Sequence, residues 1–413
     1  MKLQTERIYQ YAQERMLGLI RLPLPDAYKG QDALRRLAER ITQDGCRHVF
    51  IVCGKTVTKH GLVDGFLREL AGMGIRTTVW DGAIPNPTVA NVEEGVAAYE
   101  STACDSLVVF GGGSSMDCGK LIAARVTNPG LSVPDMHGSM KLKRKPVPLY
   151  AVPTTAGTGS EATLAAVVID EKDHHKYSVN DPRLIPRACA LDARLTATVP
   201  PAVTGQTGMD ALTHAVEACT NLYGLKNAYG YGKSAVCIIL NCLEAAYDDG
   251  SVIKNREKML TGSFKAGAAF TRNCVGYVHA IGHPLSGFYD LPHGQVMAAL
   301  LPVIMRRYGN AVTEQLAGLF DAAADYQAAG SRRKESFLNT DRSGLSQAEK
   351  ADLFLQEIER LDAKFAIPKH FDCIREEDIL SMVAFAAAEA KGYPTPIIFS
   401  EDEIAEIYRG LMS

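Results

Sequence analysis

The stretch SLVVFGGGSSMDCGKLIAARV, residues 106–126, decides how the first half of the chain folds. SLVVF is a short apolar run that reads as a buried strand, and DCGKLIAARV carries a helical pattern. Between them stands GGGSSMD. Three glycines permit positive φ and close backbone approach, and the helix behind them starts with unpaired N–H groups at the positive end of its dipole. A pyrophosphate is the guest that suits such a turn. The sequence is not G-x-G-x-x-G, and by itself the turn is equally compatible with a purely structural tight bend.

Working upstream, helix-like ALRRLAERITQDG precedes the apolar run HVFIVCG. Then come a helix pattern (LVDGFLRELAGMG), a strand (IRTTVW), the loop AIPNPT and a further helix (NVEEGVAAYESTA). Strand, helix, strand at these lengths predicts parallel βαβ units with helices on both faces. Downstream, VPLYAVP, LAAVVID and ACALD are strand candidates. After Pro200 and Pro201 the patterns become long and helical, as in DALTHAVEACTNLYG, REKMLTGSFKAGAAF and QVMAALLPVIMRRYG. The expectation is an α/β domain with a parallel sheet over residues 1–199 and an all-α domain over 200–413. The polar stretch 328–350 reads as an exposed helix–loop segment without chemistry.

The chain has 413 residues and a formal net charge of −3, which offers no field for nucleic acid or an anionic membrane surface. Its N-terminus carries charges throughout and reads as neither signal peptide nor membrane anchor. Ile8, Tyr11, Ala12, Met16 and Leu17 instead suggest an amphipathic helix. The ten cysteines are scattered without a C-x-x-C pair, which predicts reduced thiols in a cytoplasmic protein.

Two further constellations carry chemistry. VPTTAGTGSEAT, residues 152–163, offers hydroxyl and backbone donors without bulk, suited to phosphate, ribose or amide. Asp210 and His214 lie four apart in GMDALTHAVEA, His279 and His283 repeat that spacing, and His293 follows. Residues four apart share a helical face, and imidazole with carboxylate suits Fe²⁺ or Zn²⁺. A lone buried histidine is more often a core residue than a ligand; this grouping in an apolar region favours metal. His174 and His175 fall in the charged run EKDHHK and read as surface residues, and the isolated His48, His60, His137 and His370 receive no role.

These motifs, GGGSSMD, PTTAGTGSEAT, GMDALTHAVEA and GYVHAIGHPLSGFYDLPHG, resemble in order and spacing those of the iron-containing, group III alcohol dehydrogenases. The resemblance implies a dehydroquinate synthase-like fold, with a Rossmann-like N-terminal domain, a helical C-terminal domain and an active site in the cleft between them. It implies Asp210, His214, His279 and His293 as ligands of a divalent metal, Fe²⁺ or alternatively Zn²⁺. His283 matches the family's additional histidine near the nicotinamide, a candidate for orienting that ring or relaying the alcohol proton, or equally for supporting the metal ligands from behind. For the NAD or NADP cofactor it implies Gly112, Gly113 and Ser114 at the pyrophosphate, with Asp117 behind. Thr154, Thr155, Thr158 and Thr163 fall on the hydroxyl-rich loop, and Asn86 and Lys176 on further contact positions. Members that prefer NAD often carry an aspartate after the first strand; here that position is Gly54, with Lys55 beside it. Glycine removes the repulsion of a 2′-phosphate, so NADP is expected to be accepted.

The implied activity is hydride transfer between a small primary alcohol or aldehyde and NAD(P), by a homodimer or higher homo-oligomer. Phe270, Phe288 and YPTPIIF are expected on the pocket wall. The alternatives are a zinc-dependent glycerol, polyol or hydroxy-acid dehydrogenase, a non-haem iron oxygenase, and a non-catalytic nucleotide- or metal-responsive protein. The glycine turn argues against the oxygenase, and the full ligand set against the non-catalytic reading.

Overall fold

Six strands in the first half form an all-parallel sheet, and its inner strands are apolar and buried on both faces. In chain order the strands are β1 (Asp26–Lys29), β2 (His48–Val52), β3 (Arg76–Trp80), β4 (Ser106–Gly111), β5 (Gly138–Ser139), β6 (Leu149–Pro153), β7 (Ala165–Asp170), β8 (His175–Asn180) and β9 (Ala188–Leu191). The large sheet runs β1-β9-β6-β4-β2-β3, and β5-β8-β7 form a small mixed one. The structure, a computed structural model, describes residues 7, 8, 10, 15, 22–172, 175–223, 225–328 and 336–413. The amphipathic helix expected over the first residues lies mostly outside these, as do His174 and residues 329–335 of the polar stretch.

Period-two alternation fills both faces of the large sheet. Val49, Ile51, Val108 and Phe110 pack with Leu37 and Ile41 of α1 (Ala33–Gln43) and Phe66 of α3 (Asp64–Gly72). Phe50, Val52, Leu107 and Val109 pack on the other side with Val92 and Val96 of α4 (Val89–Glu100) and Leu121 and Ile122 of α5 (Gly113–Thr127). The short α2 (Lys55–Lys59) follows β2. Strand order reverses at β2, which has β3 on one side and β4 on the other. That is the switch point at which open α/β sheets bind ligands, beyond the carboxyl ends of their strands. Gly54 follows β2, and Gly112 with Gly113 follow β4, so both open at this place.

From Pro201 onward the described residues contain helices and no strand. The helices are α6 (Pro201–Thr220), α7 (Lys226–Asp248), α8 (Ile253–Asn273), α9 (Tyr277–Tyr289), α10 (His293–Tyr308), α11 (Thr313–Ala328), α12 (Gln347–Lys364), α13 (Glu376–Ala390) and α14 (Glu401–Gly410). Pro201 at the first position of α6 suits a helix start, where its missing N–H costs nothing.

The chain divides into two compact units. The sheet unit is Leu22–Val199 with Asp249–Gly267; the helical unit is Pro200–Asp248 and Ala268–Ser413, with the described residues of the N-terminal segment. Thus Val199 and Pro200 part company, while Asp249–Gly267 joins the sheet. Leu260 and Phe264 pack in the sheet core, and Ser263 Oγ donates to Gly157 O at 3.0 Å.

Three strands escaped the sequence reading. β1 is a short edge strand with polar ends, β5 has two residues, and β8 begins in the charged run. His175 is therefore not a loose surface residue. It opens β8, half-buried, with its ring 5.5 Å from both His137 and Tyr177.

Candidate functional site

In the sheet unit the glycine turn and the hydroxyl-rich loop are packed on each other. A Cβ on Gly113 would lie 2.5 Å from Thr158 Cγ2, and one on Gly112 3.3 Å from Thr155 Oγ1. Thr154 N–H donates to Gly111 O at 3.0 Å. Asn86, held at φ +48°, donates its backbone N–H to Ser114 Oγ at 3.2 Å, and Lys176 Nζ donates to Asn86 Oδ1 at 3.1 Å. Ser160 Oγ donates to Asp117 Oδ1 at 3.3 Å. Gly54 stands across the switch point, where an added Cβ would come within 3.9 Å of Ser115 Oγ. All eleven residues expected at the cofactor thus lie in this unit. Beside the turn is α5's N-terminus, whose cap Gly112 provides no side-chain acceptor for the leading N–H groups. Free donors at a helix start, with the Lys176 ammonium nearby, fit a diphosphate.

Beneath the turn lies a buried charge cluster that spacing could have suggested, since Lys120 is three residues beyond Asp117. Lys120 is 0% exposed, and its Nζ donates to Thr163 O, Thr163 Oγ1 and Ala165 O, each at 2.9 Å. It ties α5 to the far end of the hydroxyl-rich loop. Burial pushes the Asp117 carboxyl up and the Lys120 ammonium down, while their mutual attraction opposes both shifts. Glu161, also buried, is pushed up to about 7 by desolvation, against its own backbone N–H and Lys120.

In the helical unit α6 presents Asp210, His214 and Glu217 on one stripe, at steps of four and three. α9 supplies His279 and His283, and α10 begins with His293. Gly294 lets α10 approach α6: a Cβ there would lie 2.4 Å from Gln206 O, one turn before Asp210. Gly282 likewise admits α10 side chains, with Met297 Cε 2.0 Å from its Cβ position.

Ligand atoms of Asp210, His279 and His293 lie within 4.8 Å of one another. From Asp210 Oδ1, His293 Nε2 is at 3.5 Å, His214 Nδ1 at 3.7 Å and His279 Nε2 at 3.9 Å. These separations are long for hydrogen bonds, whereas two donors ~2.1 Å from one tetrahedral ion stand ~3.4 Å apart. The donor chemistry and spacing therefore fit a divalent metal. His214 flanks the three-residue group, its ring stacked on Phe270 (centroids 4.4 Å) and on His279 (4.5 Å). Phe270, expected on the pocket wall, backs this histidine. Burial and the neighbouring His279 and His283 hold the His214 imidazole well below its ordinary range, in the neutral form that binds metals.

Two carboxylates that sequence reasoning missed orient these rings. His279 Nδ1 is hydrogen-bonded to Glu217 Oε2 at 2.6 Å, which turns its Nε2 toward Asp210. Burial pushes the Glu217 carboxyl up to about 8, against backbone N–H groups of Gly276 and Val278. His283 Nδ1 meets Glu389 Oε1 at 2.7 Å, and Tyr393 O–H donates to the same oxygen at 2.5 Å. Glu217 was legible as the next residue on the Asp210 stripe. Glu389, in AAAEAKGYP, had no such signal.

One chain thus carries a sheet whose glycine turn fits a diphosphate and a helical unit with donors spaced for a divalent metal, the equipment of a metal-dependent oxidoreductase. It belongs to the iron-containing alcohol dehydrogenase family: the family "Iron-containing alcohol dehydrogenase" matches residues 25–193 and "Fe-containing alcohol dehydrogenase family, C-terminal" matches residues 204–412. The chain is 35% identical to 1,3-propanediol dehydrogenase of Citrobacter freundii, over 92% of this chain and 95% of that protein. It is 30% identical to lactaldehyde reductase of Escherichia coli K12, over 92% and 96%. A solved structure of a 1,3-propanediol oxidoreductase superposes with a TM-score of 0.87 at 32% identity, covering 95% of this chain and all of that one. The protein is an alcohol and aldehyde oxidoreductase, and its family implies a divalent metal together with NAD(P).

Proposed function

We propose that the protein interconverts a small primary alcohol and its aldehyde, with Asp210, His214, His279 and His293 holding Fe²⁺ and the sheet unit holding NADP. The reading is carried by the convergence of Asp210, His279 and His293, with Glu217 locking His279. A divalent cation supplies Lewis acidity, lowering the pKa of an alcohol and polarising a carbonyl. The chain's own residues do the rest. Gly112, Gly113 and Ser114 bind the diphosphate with Asp117 behind them. Thr154, Thr155, Thr158 and Thr163 supply the adjoining hydroxyl wall, and Asn86 with Lys176 close the other side.

His283 then handles the alcohol proton. Tyr393 must donate to Glu389 Oε1, because a phenol proton has no other acceptor in that contact. The buried carboxylate is held below its usual range: burial opposes ionisation, but His283 and Tyr393 prevail. An ionised Oε1 makes His283 Nδ1 a donor, leaving Nε2 to take up or return a proton.

NADP use is supported by Gly54, which places no carboxylate beyond β2, and by the exposed Lys55 next to it. Asp81, after β3, accepts from Thr58 Oγ1 at 2.8 Å. Both relatives named above carry three-carbon substrates in their names, which favours a short-chain substrate here over a long one. A homodimer or higher oligomer rests on the resemblance, and a cytoplasmic location on ten free cysteines. Neither calls for a membrane, and no helix among the described residues is long and apolar enough to cross one.

The test is elemental analysis of the purified protein, with kcat/KM for NADPH and NADH on short aldehydes. Iron near one equivalent and turnover with NADPH are expected. A preference of ~100-fold (~2.7 kcal/mol) for NADH would reject the cofactor assignment.

A further inference from the structure

The stripe of α6 that bears Asp210, His214 and Glu217 continues four residues on to Asn221, the buried residue that ends the helix. Asn221 Nδ2 donates to three successive backbone oxygens: Asn273 O at 2.9 Å, Cys274 O at 3.2 Å and Val275 O at 2.9 Å. An amide has two N–H groups, so one is shared between carbonyls. The link is returned by Asn273, whose Nδ2 donates to Ala218 O at 2.6 Å.

What Asn221 grips is a turn that resists its own shape. Cys274 sits at φ +58°, in the left-handed region that disfavours a residue with a Cβ. Three carbonyls turned toward one amide hold it there. Immediately beyond, Gly276 starts α9, and a Cβ on it would lie 2.9 Å from Glu217 Oε1, the atom that accepts from Val278 N–H at 2.8 Å. His279 is the next residue. The end of α6 therefore shapes the turn whose exit sets where His279 points.

We infer that Asn221 is a positioning residue for the metal site, acting on His279 through the Asn273–Gly276 turn without touching a ligand. This rests on the reading of Asp210, His279 and His293 as ligands. A side chain serving only the fold would lower the melting temperature and leave metal release alone. A positioning residue changes metal release, and the change is reversed by relieving the strain it holds.

The experiment uses zinc-loaded full-length protein and follows zinc transfer to excess chromophoric chelator, with the melting temperature of the apo form alongside. Asn221→Ala is expected to release zinc ~10–100-fold faster, the range seen when residues behind metal ligands are removed. Cys274→Gly alone is expected to release like the native protein. In the double variant Cys274→Gly is expected to restore most of the retention, because glycine takes positive φ freely. Release within twofold of native in folded Asn221→Ala, or no restoration in the double variant, overturns the inference. Should Asn221→Ala fail to fold, Asn273→Ala cuts only the Ala218 link; a few-fold faster release supports the inference and unchanged release overturns it. His279→Ala is the control. If it keeps its zinc, the ligand reading fails; if it loses zinc while Asn221→Ala does not, this inference alone fails.

Discussion

The two units handle buried charge in opposite ways. In the sheet unit the chain brings its own cation: Lys120, fully buried, donates hydrogen bonds to Thr163 and Ala165 and sits between the fields of Asp117 and Glu161. In the helical unit the buried carboxylate Asp210 is surrounded by imidazole nitrogens at 3.5 to 3.9 Å, and these are spaced as co-ligands rather than as donors to it. A lysine in the sheet unit and histidines in the helical one agree with what each is proposed to hold. The first stiffens the loop proposed to bind a diphosphate, where positive charge is useful. The second, as proposed, would collect lone pairs for a divalent ion, which a protonated side chain would repel.

The sharpest way to break this contrast is to remove a ligand. His279→Ala is expected to abolish metal binding and cost at least ~1,000-fold in kcat/KM, since a Lewis acid supplies several kcal/mol. His283→Ala is expected to keep its metal and lose turnover only. Elemental analysis beside steady-state kinetics checks both, and metal loss in the second variant would exchange the roles assigned to the two histidines. Next in size is Lys120→Met, which removes the internal cation while filling its space. Leaving Asp117 without its cation, and the Thr163 and Ala165 oxygens without their donor, is expected to destabilise the sheet unit by ~3–5 kcal/mol, read from a denaturant midpoint. A loss below ~1 kcal/mol would mean the cluster does not depend on its lysine.

How much of this was legible beforehand also differs between the units. Helical spacing alone placed Asp210 with His214 and His279 with His283, because a helix brings residues four apart together wherever it packs. It could not place Glu389, which reaches His283 from α13 across 106 residues of chain. In the sheet unit the glycine turn was read as room for a phosphate, yet Gly113 and Gly119 have a second reason to be small. Their Cβ positions fall 2.5 Å from Thr158 Cγ2 and 2.4 Å from Val109 Cγ2. A sequence shows that a residue is small without showing which neighbour demands it. β8 was missed because its buried residues, Tyr177 and Val179, alternate with polar ones beside a charged run. The composition masked a period of two.

Glu161 gives a smaller test of the sheet unit's electrostatics. Its carboxyl is pushed up to about 7, so the folded state favours the neutral acid. The stability it lends is full below the unfolded carboxyl pKa of ~4.3 and is lost as pH rises through 7, up to ~3 kcal/mol in all. Glu161→Gln is expected to remove this fall, becoming the more stable form at pH 8 and comparable at pH 4.5. Parallel urea titrations across that window would show it, and an unchanged slope would place the proton elsewhere.

The smallest expected effect concerns the cofactor alone. Gly54 follows β2 at the switch point, and a Cβ there would meet Ala83 O at 3.1 Å, tight but within reach of a small backbone adjustment. Gly54→Asp puts a carboxylate where it can accept from ribose hydroxyls and repel a 2′-phosphate. The ratio of kcat/KM for NADPH to that for NADH is expected to fall ~10–100-fold, equivalent to ~1.4–2.7 kcal/mol. Because the change lies in the sheet unit, metal content should stay at the native level, which separates a change in cofactor choice from damage to the helical site. An unchanged ratio, with metal intact, would mean that the adenosine ribose lies away from the end of β2 and that Gly54 is small only to clear Ala83.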